Sequence, residues 1–367
     1  MAQPNWMIYG ANGYTGERIA REAVRRGLRP VLASRHEANI TPLARELDCP
    51  RQVFSLDEPG EAARQLADLA VVLHCAGPFS HTAQAMIDAC CASGAHYLDI
   101  TGEIAVIEQA ATRHEQALAA GVCLVPAVGF DVVPTDCLAA QLHARLPTAT
   151  RLDLAFWASD GLSPGTARTI WEHAQKGIQI RANGRLVRVS AGERPLLEVP
   201  FRDCTRLAVL IPWGDVASAY HTTGIPNIEV YIALPKALLS LRRLERLSPL
   251  AGLPVIRPAV GWLIHRLVRG PSDEQLRASR AQFWGRVRDD TGQSSEATLT
   301  TPGAYALTIQ TALAAVARVL DGAVPAGFHT PSRAFGRDFI DQVLNTRHAE
   351  ASPTREGGSR SRRNASS

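Results

Sequence analysis

Gly10, Gly13 and Gly16 stand three residues apart in Gly10-Ala11-Asn12-Gly13-Tyr14-Thr15-Gly16, directly after the apolar run Trp6-Met7-Ile8-Tyr9. A glycine turn between a strand and a helix brings bare backbone N–H groups close to an anion, because glycine adopts positive φ and has no side chain to block the approach. The helix expected from Tyr14 to Arg26 points its positive end at the same spot. The pyrophosphate of a dinucleotide suits such a cradle. A sharp turn with no ligand uses similar glycines, so the next unit matters. Pro30-Val31-Leu32-Ala33-Ser34-Arg35 reads as a second strand ending nineteen residues after Gly16. The adenosine ribose lies at that tip, where an acidic side chain would accept from a free 2′-hydroxyl. Here the tip carries Ser34 and Arg35. A guanidinium pairs with a 2′-phosphate through charge-assisted hydrogen bonds worth roughly 2 kcal/mol, about 30-fold in affinity, which favours NADP over NAD. The alternative for Arg35 is an ordinary solvated arginine.

Hydride transfer belongs to the nicotinamide, so the chain must position it, exclude water and handle a proton. Cys75-Ala76-Gly77-Pro78-Phe79 closes the apolar strand Leu69 to Cys75, where the chain passes the nicotinamide ribose. Gly77 permits the approach and Pro78 stiffens it. Phe79 either walls the ring or belongs to the core. Asp99, Thr101 and Glu103 follow a fifth strand, and Asp131 and Asp136 follow a sixth. A partly desolvated carboxyl group at that edge can donate a proton, and Asp131 and Glu103 are the catalytic candidates. Each has a structural alternative: Glu103 in the first turn of a helix, Asp131 as the cap of a helix starting near Val133. Tyr97 and His81 are weaker donors. Seven cysteines form no C-x-x-C pair and no pattern with histidine, which points to reduced thiols and no metal site.

The elements that must hold these residues alternate. Helices are expected at Thr41–Asp48, Pro59–Asp68, Thr82–Ser93 and Ile104–Ala120, and strands at Gln52–Ser55, His96–Leu98 and Val122–Pro126. Six strands alternating with helices imply a Rossmann-like, doubly wound parallel sheet over residues 1–145. Beyond it, short strands with turn signals such as Asn183-Gly184 imply a second α+β domain over 146–303, built on a mainly antiparallel sheet, with one helix at Gly165–Gly177. A helix at Tyr305–Leu320 is apolar on most faces, so the extension 304–347 should pack back on the first domain. Residues 348–367 cannot bury enough to fold and are expected to be disordered.

Lys236 to Arg269 carries seven basic residues against Glu245, a net +6, among leucines. Arg257 divides its longest apolar run, well short of the roughly 18 to 20 residues of a membrane span. Such a segment either makes a peripheral membrane contact or forms surface helices with solvated arginines. A net charge of +4 with no basic stretch interleaved with aromatics argues against nucleic acid. The amino terminus lacks a signal pattern, so a cytoplasmic location is expected, with membrane association resting on 236–269.

Taken together, Gly10–Gly16, Ala33-Ser34-Arg35, Cys75–Phe79, His96–Glu103, Gly129–Asp136, Gly270-Pro271-Ser272 and Gly327–Ser332 resemble the saccharopine dehydrogenase-like oxidoreductases, and within them the trans-acting enoyl reductase branch. The resemblance implies an NADP-binding domain and reduction of the C=C bond of an enoyl, polyketide-derived or lipid-derived chain, free or carrier-bound. A C=N or C=O reductase, or an NADP-binding redox sensor without catalysis, remain the alternatives. No set of groups for holding amino-acid carboxylates is evident in the sequence.

Overall fold

The computed structural model describes residues 5–159, 177–190, 194–234 and 278–344. The amino-terminal part runs β1 (Trp6–Tyr9), α1 (Tyr14–Arg25), β2 (Val31–Ser34), α2 (Glu37–Glu46), β3 (Arg51–Val53), α3 (Pro59–Gln65), β4 (Val71–His74), α4 (Phe79–Ser93), β5 (His96–Asp99), α5 (Ile104–Thr112), α6 (His114–Ala120) and β6 (Cys123–Val125). With β15 (Gly327–Phe328) these strands form one parallel sheet in the order β15-β6-β5-β4-β1-β2-β3. The centre of the sheet is covered on both faces, which is why β1 and β4 are continuous apolar runs with every residue buried.

Three details differ from the expectation. Helix α2 begins at Glu37 rather than Thr41: Pro42 sits inside it, and the added turn buries Ile40. The stretch Ile104–Ala120 is two helices, because Arg113 leaves helical geometry at φ −92°, ψ 8°. A seventh strand, β15, has only two residues and so no pattern of its own.

The second sheet contains β7 (Arg151–Ala158), β8 (Ile178–Ala182), β9 (Arg185–Val189), β10 (Leu197–Pro200), β11 (Thr205–Leu210), β12 (Asn227–Ala233), β13 (Arg280–Arg288) and β14 (Ser294–Pro302). Its order is β10-β11-β12-β7-β13-β14, with β8 and β9 branching from β12. The sheet is mixed rather than purely antiparallel, since β12 runs parallel to β7 at its centre. Asn183 and Gly184 both have positive φ, 49° and 76°, the geometry that closes a two-residue hairpin between β8 and β9.

Helices α7 (Val133–Arg145) and α8 (Asp215–Thr223) join the two sheets, α7 lying on β13 and β14 and α8 against α5. Helix α9 (Ala304–Leu320) packs on α1, β4 and β5, so the late part of the chain returns to the first sheet. Helices α10 (Pro331–Phe335) and α11 (Phe339–Leu344) follow and rest on α7. One apolar core runs from Met7 and Leu73 through Val133 and Leu138 to Phe156 and Phe283. The helix expected from Gly165, the basic stretch 236–269 and the tail 348–367 fall outside the described residues. Among the described residues no helix is long and apolar enough to cross a membrane.

Candidate active site

The glycine turn is built by close approach. Gly10 has φ +81°, and a Cβ there would lie 2.7 Å from the Ala76 nitrogen. A Cβ on Gly16 would lie 2.4 Å from the Gly10 oxygen, so the third glycine lets α1 cross the end of β1. Gly13 takes the N-cap position of α1 with no side-chain cap, leaving the helix end open to an anion. Gly10 N and Ala11 N both donate to Ala33 O, which ties the turn to β2. Asn12 and Tyr14 are exposed and Thr15 is half-buried at the rim. At the tip of β2, Ser34 Oγ donates to His36 O at 2.9 Å and closes a small turn that sends Arg35 to the surface. Arg35 has no ion-pair partner among the described residues. That leaves its guanidinium available for a 2′-phosphate.

The Cys75–Pro78 turn stands beside Gly10. Cys75 N donates to Tyr9 O, and Thr82 Oγ1 donates to Ala76 O at 2.8 Å. Behind Thr82 lies His74 Nε2 at 2.9 Å, in a ring held neutral because burial pushes its pKa down to about 3. Burial drives the Cys75 thiol far above its ordinary range, so it is no nucleophile. Gly77 and Pro78 are exposed at the rim, while the Phe79 ring turns inward, edge-on to His74 at 5.4 Å.

The carboxyl groups separate by what they touch. Asp99 is buried and accepts from Thr101 N, Ala127 N and the Tyr97 hydroxyl, at 2.9, 2.7 and 2.6 Å. It braces the loops after β5 and β6, and burial raises its pKa to about 6. Tyr97 thereby spends its proton on Asp99 in the interior. Glu103 accepts from Phe79 N at 2.9 Å and Ser80 N at 3.1 Å. It caps α4, whose own N-cap side chain supplies no bond. Asp136 accepts from Thr222 Oγ1 and from Ser332 N, locking α7 to α8 and α10. His81 is exposed on the first turn of α4.

Asp131 is the exception. It is half-buried, at the edge of the parallel sheet after β6, and among the described residues its carboxylate has no hydrogen-bond or ion-pair partner. Nor does it cap α7, whose N-cap is Val132. Desolvation, with no compensating cation, raises its pKa to about 7. Gly102 makes room for it, since a Cβ there would lie 2.6 Å from Asp131 Oδ2. A partly exposed carboxyl group whose pKa is raised toward neutrality by burial has the properties of a general acid.

Several contributors were not foreseen. Trp213 Nε1 donates to Asp131 O at 2.8 Å, Thr308 Oγ1 on α9 accepts from Phe130 N at 3.0 Å, and Tyr305 meets Tyr14 edge-on at 4.8 Å. The start of α9 thus lies beside the Gly10–Gly16 turn. The Gly327–Ser332 motif also finds its reason: Gly327, at φ +103°, clears His114, and Thr330 and Ser332 join the hydroxyl network on Asp136. Among the described residues no cluster of side chains is arranged to hold a metal ion.

Residues 6–125 match the saccharopine dehydrogenase NADP binding domain family. A saccharopine dehydrogenase-like oxidoreductase of Arabidopsis thaliana is 32% identical over 147 residues, 35% of this chain and 32% of that protein. The trans-acting enoyl reductase of Mycobacterium leprae is 29% identical over 148 residues, 38% of this chain and 35% of that protein. The matched region therefore spans about a third of the length of these curated relatives. Among solved structures, apo saccharopine dehydrogenase (L-Glu forming) from Saccharomyces cerevisiae superposes over 93% of this chain and 96% of that chain. Its TM-score is 0.58 at 13% identity, a likeness of fold.

Proposed function

We propose that the chain, whose residues 6–125 match the saccharopine dehydrogenase NADP binding domain family, is an NADPH-dependent reductase of the saccharopine dehydrogenase-like oxidoreductases in which Asp131 supplies the proton. The observation that carries the reading is the unpartnered Asp131 carboxyl, on the same sheet edge as the Gly10–Gly16 cradle. The residues present fit the cofactor: Gly10, Ala11, Asn12, Gly13, Tyr14, Thr15 and Gly16 would hold the pyrophosphate, Arg35 the 2′-phosphate on the turn that Ser34 closes, and Cys75, Ala76, Gly77 and Pro78 the nicotinamide ribose. When bound, NADPH supplies a hydride. Asp131 in its acid form then donates a proton to the neighbouring atom of the reduced bond, and the buried Asp99 and Asp136 keep the surrounding loops in place.

A C=N or C=O bond fits this acid best. Its heteroatom becomes an amine or hydroxyl that takes the proton directly from a carboxyl group titrating near neutrality. The names of the mycobacterial relatives favour a second reading, reduction of an enoyl C=C, but what they share with this chain is about a third of its length. The partner is accordingly a small unsaturated substrate, free or carrier-bound. Asp131→Asn tests the reading: NADPH should bind as in the wild type while turnover of an imine, ketone or enoyl-thioester substrate falls at least about 100-fold. Undiminished turnover would remove Asp131 from the chemistry.

A further inference from the structure

We infer that Trp213, on the loop after β11 of the second sheet, is the positioning residue that holds Asp131 at the edge of the first sheet, an inference that rests on Asp131 being the proton donor. A buried indole N–H needs an acceptor. Trp213 finds it in the main-chain oxygen of Asp131, the residue whose own carboxylate has no partner among those described. The indole is anchored by Phe156 on β7, 5.2 Å away, and Phe156 packs on Phe130 and Phe283. The donor is therefore fixed to the frame of the second sheet.

The following residue tightens the contact. A Cβ on Gly214 would lie 2.9 Å from Val132 Cγ2 and 3.1 Å from the Gly102 oxygen, while a Cβ on Gly102 would strike the Asp131 carboxylate. The loops after β5, β6 and β11 thus interlock, with glycine wherever a side chain would push Asp131 aside. Asp215 comes next and opens α8, its Oδ1 accepting from Thr135 Oγ1 at 2.5 Å. The carboxyl groups on the elements around Asp131 are Asp99 and Glu103 from the β5 loop, Asp136 on α7 and Asp215 on α8, while α7 and α8 also carry His143, Arg145 and His221. None of these cations pairs with the Asp131 carboxylate, so burial rather than a charge partner raises its pKa.

The test is a carbon-13 NMR titration of protein labelled at aspartate carboxyl carbons, with the Asp131 signal identified by its loss in Asp131→Asn. Trp213→Phe keeps the aromatic packing and removes the donor. The freed turn admits water, and the Asp131 midpoint should fall by at least about one pH unit, a tenfold change in its acid constant, while NADPH affinity stays within about twofold. Should Trp213→Phe fail to fold, Phe156→Leu removes the ring that anchors the indole and should lower the midpoint likewise. An unchanged midpoint in the variant that folds overturns the inference. The proton-donor reading is judged separately, by whether Asp131→Asn retains turnover.

Discussion

Glu103→Ala removes a carboxylate that accepts from two backbone N–H groups at the start of α4, Phe79 N at 2.9 Å and Ser80 N at 3.1 Å. Ser80 is exposed and water replaces its bond at little net cost, whereas Phe79 is half-buried and its N–H is left poorly satisfied. One charge-assisted bond of about 1.5 kcal/mol, plus about 0.5 kcal/mol for a negative charge at a helix N-terminus, sums to about 2 kcal/mol of stability. For a chain of this size that is a fall of roughly 3 °C in Tm. Glu103→Gln keeps one oxygen acceptor and loses the charge, so it should cost about half as much. Thermal and urea unfolding measure the loss, and an NADPH titration alongside should show a modest weakening as the adjoining Ala76–Pro78 turn loosens. If Glu103→Gln instead left the unfolding midpoint untouched and abolished turnover, the carboxylate would be acting on protons and the capping role would be wrong.

Arg35→Glu should weaken NADPH binding about 30-fold or more and leave NADH binding nearly unchanged, since the guanidinium is exposed and its loss costs the fold little; equal losses for both cofactors would show that Arg35 does not meet the 2′-phosphate. Gly10→Ala places a side chain at φ +81° and 2.7 Å from Ala76 N, so binding of NADPH and NADH should fall together, and a titration matching the wild type would contradict the cradle. Because the folded pKa of Asp131 is raised to about 7 from near 4 in the unfolded chain, its protonated form stabilises the fold at low pH and that contribution is lost as pH rises through 7. Asp131→Asn should therefore gain stability relative to the wild type between about pH 4 and 7, with the gain constant above that window, and urea unfolding across pH would show a flat difference if the carboxyl were ordinary. Wild-type turnover should likewise decline above about pH 7 as the acid form is depleted, and a profile flat to pH 9 would rule out this donor.

The first sheet was legible because its pattern is strong: apolar runs buried on both faces, broken by turns whose glycines have a steric reason. Asp131 was legible as a candidate because it follows a parallel strand. What distinguishes it from Glu103 was not, since a linear pattern does not reveal that Glu103 reaches back 23 residues to Ser80 while the Asp131 carboxylate meets no donor among the described residues. The same limit hid Trp213, which lies 82 residues from the carbonyl it holds. β15 escaped notice because two residues carry no periodicity, and the parallel β7–β12 pair because propensity does not encode strand direction. Helix α2 starts at Glu37, ahead of the expected Thr41, because Pro42 is accommodated inside it.

The most direct measurement is a fluorescence titration of the purified protein with NADPH and with NADH, followed by cofactor absorbance as imine, ketone and enoyl-thioester substrates are added. NADPH-selective binding, with oxidation by one substrate class that Asp131→Asn abolishes without weakening binding, is the expected result. Tight binding with no oxidation by any class, or oxidation undiminished in Asp131→Asn, would contradict a reductase that draws its proton from Asp131.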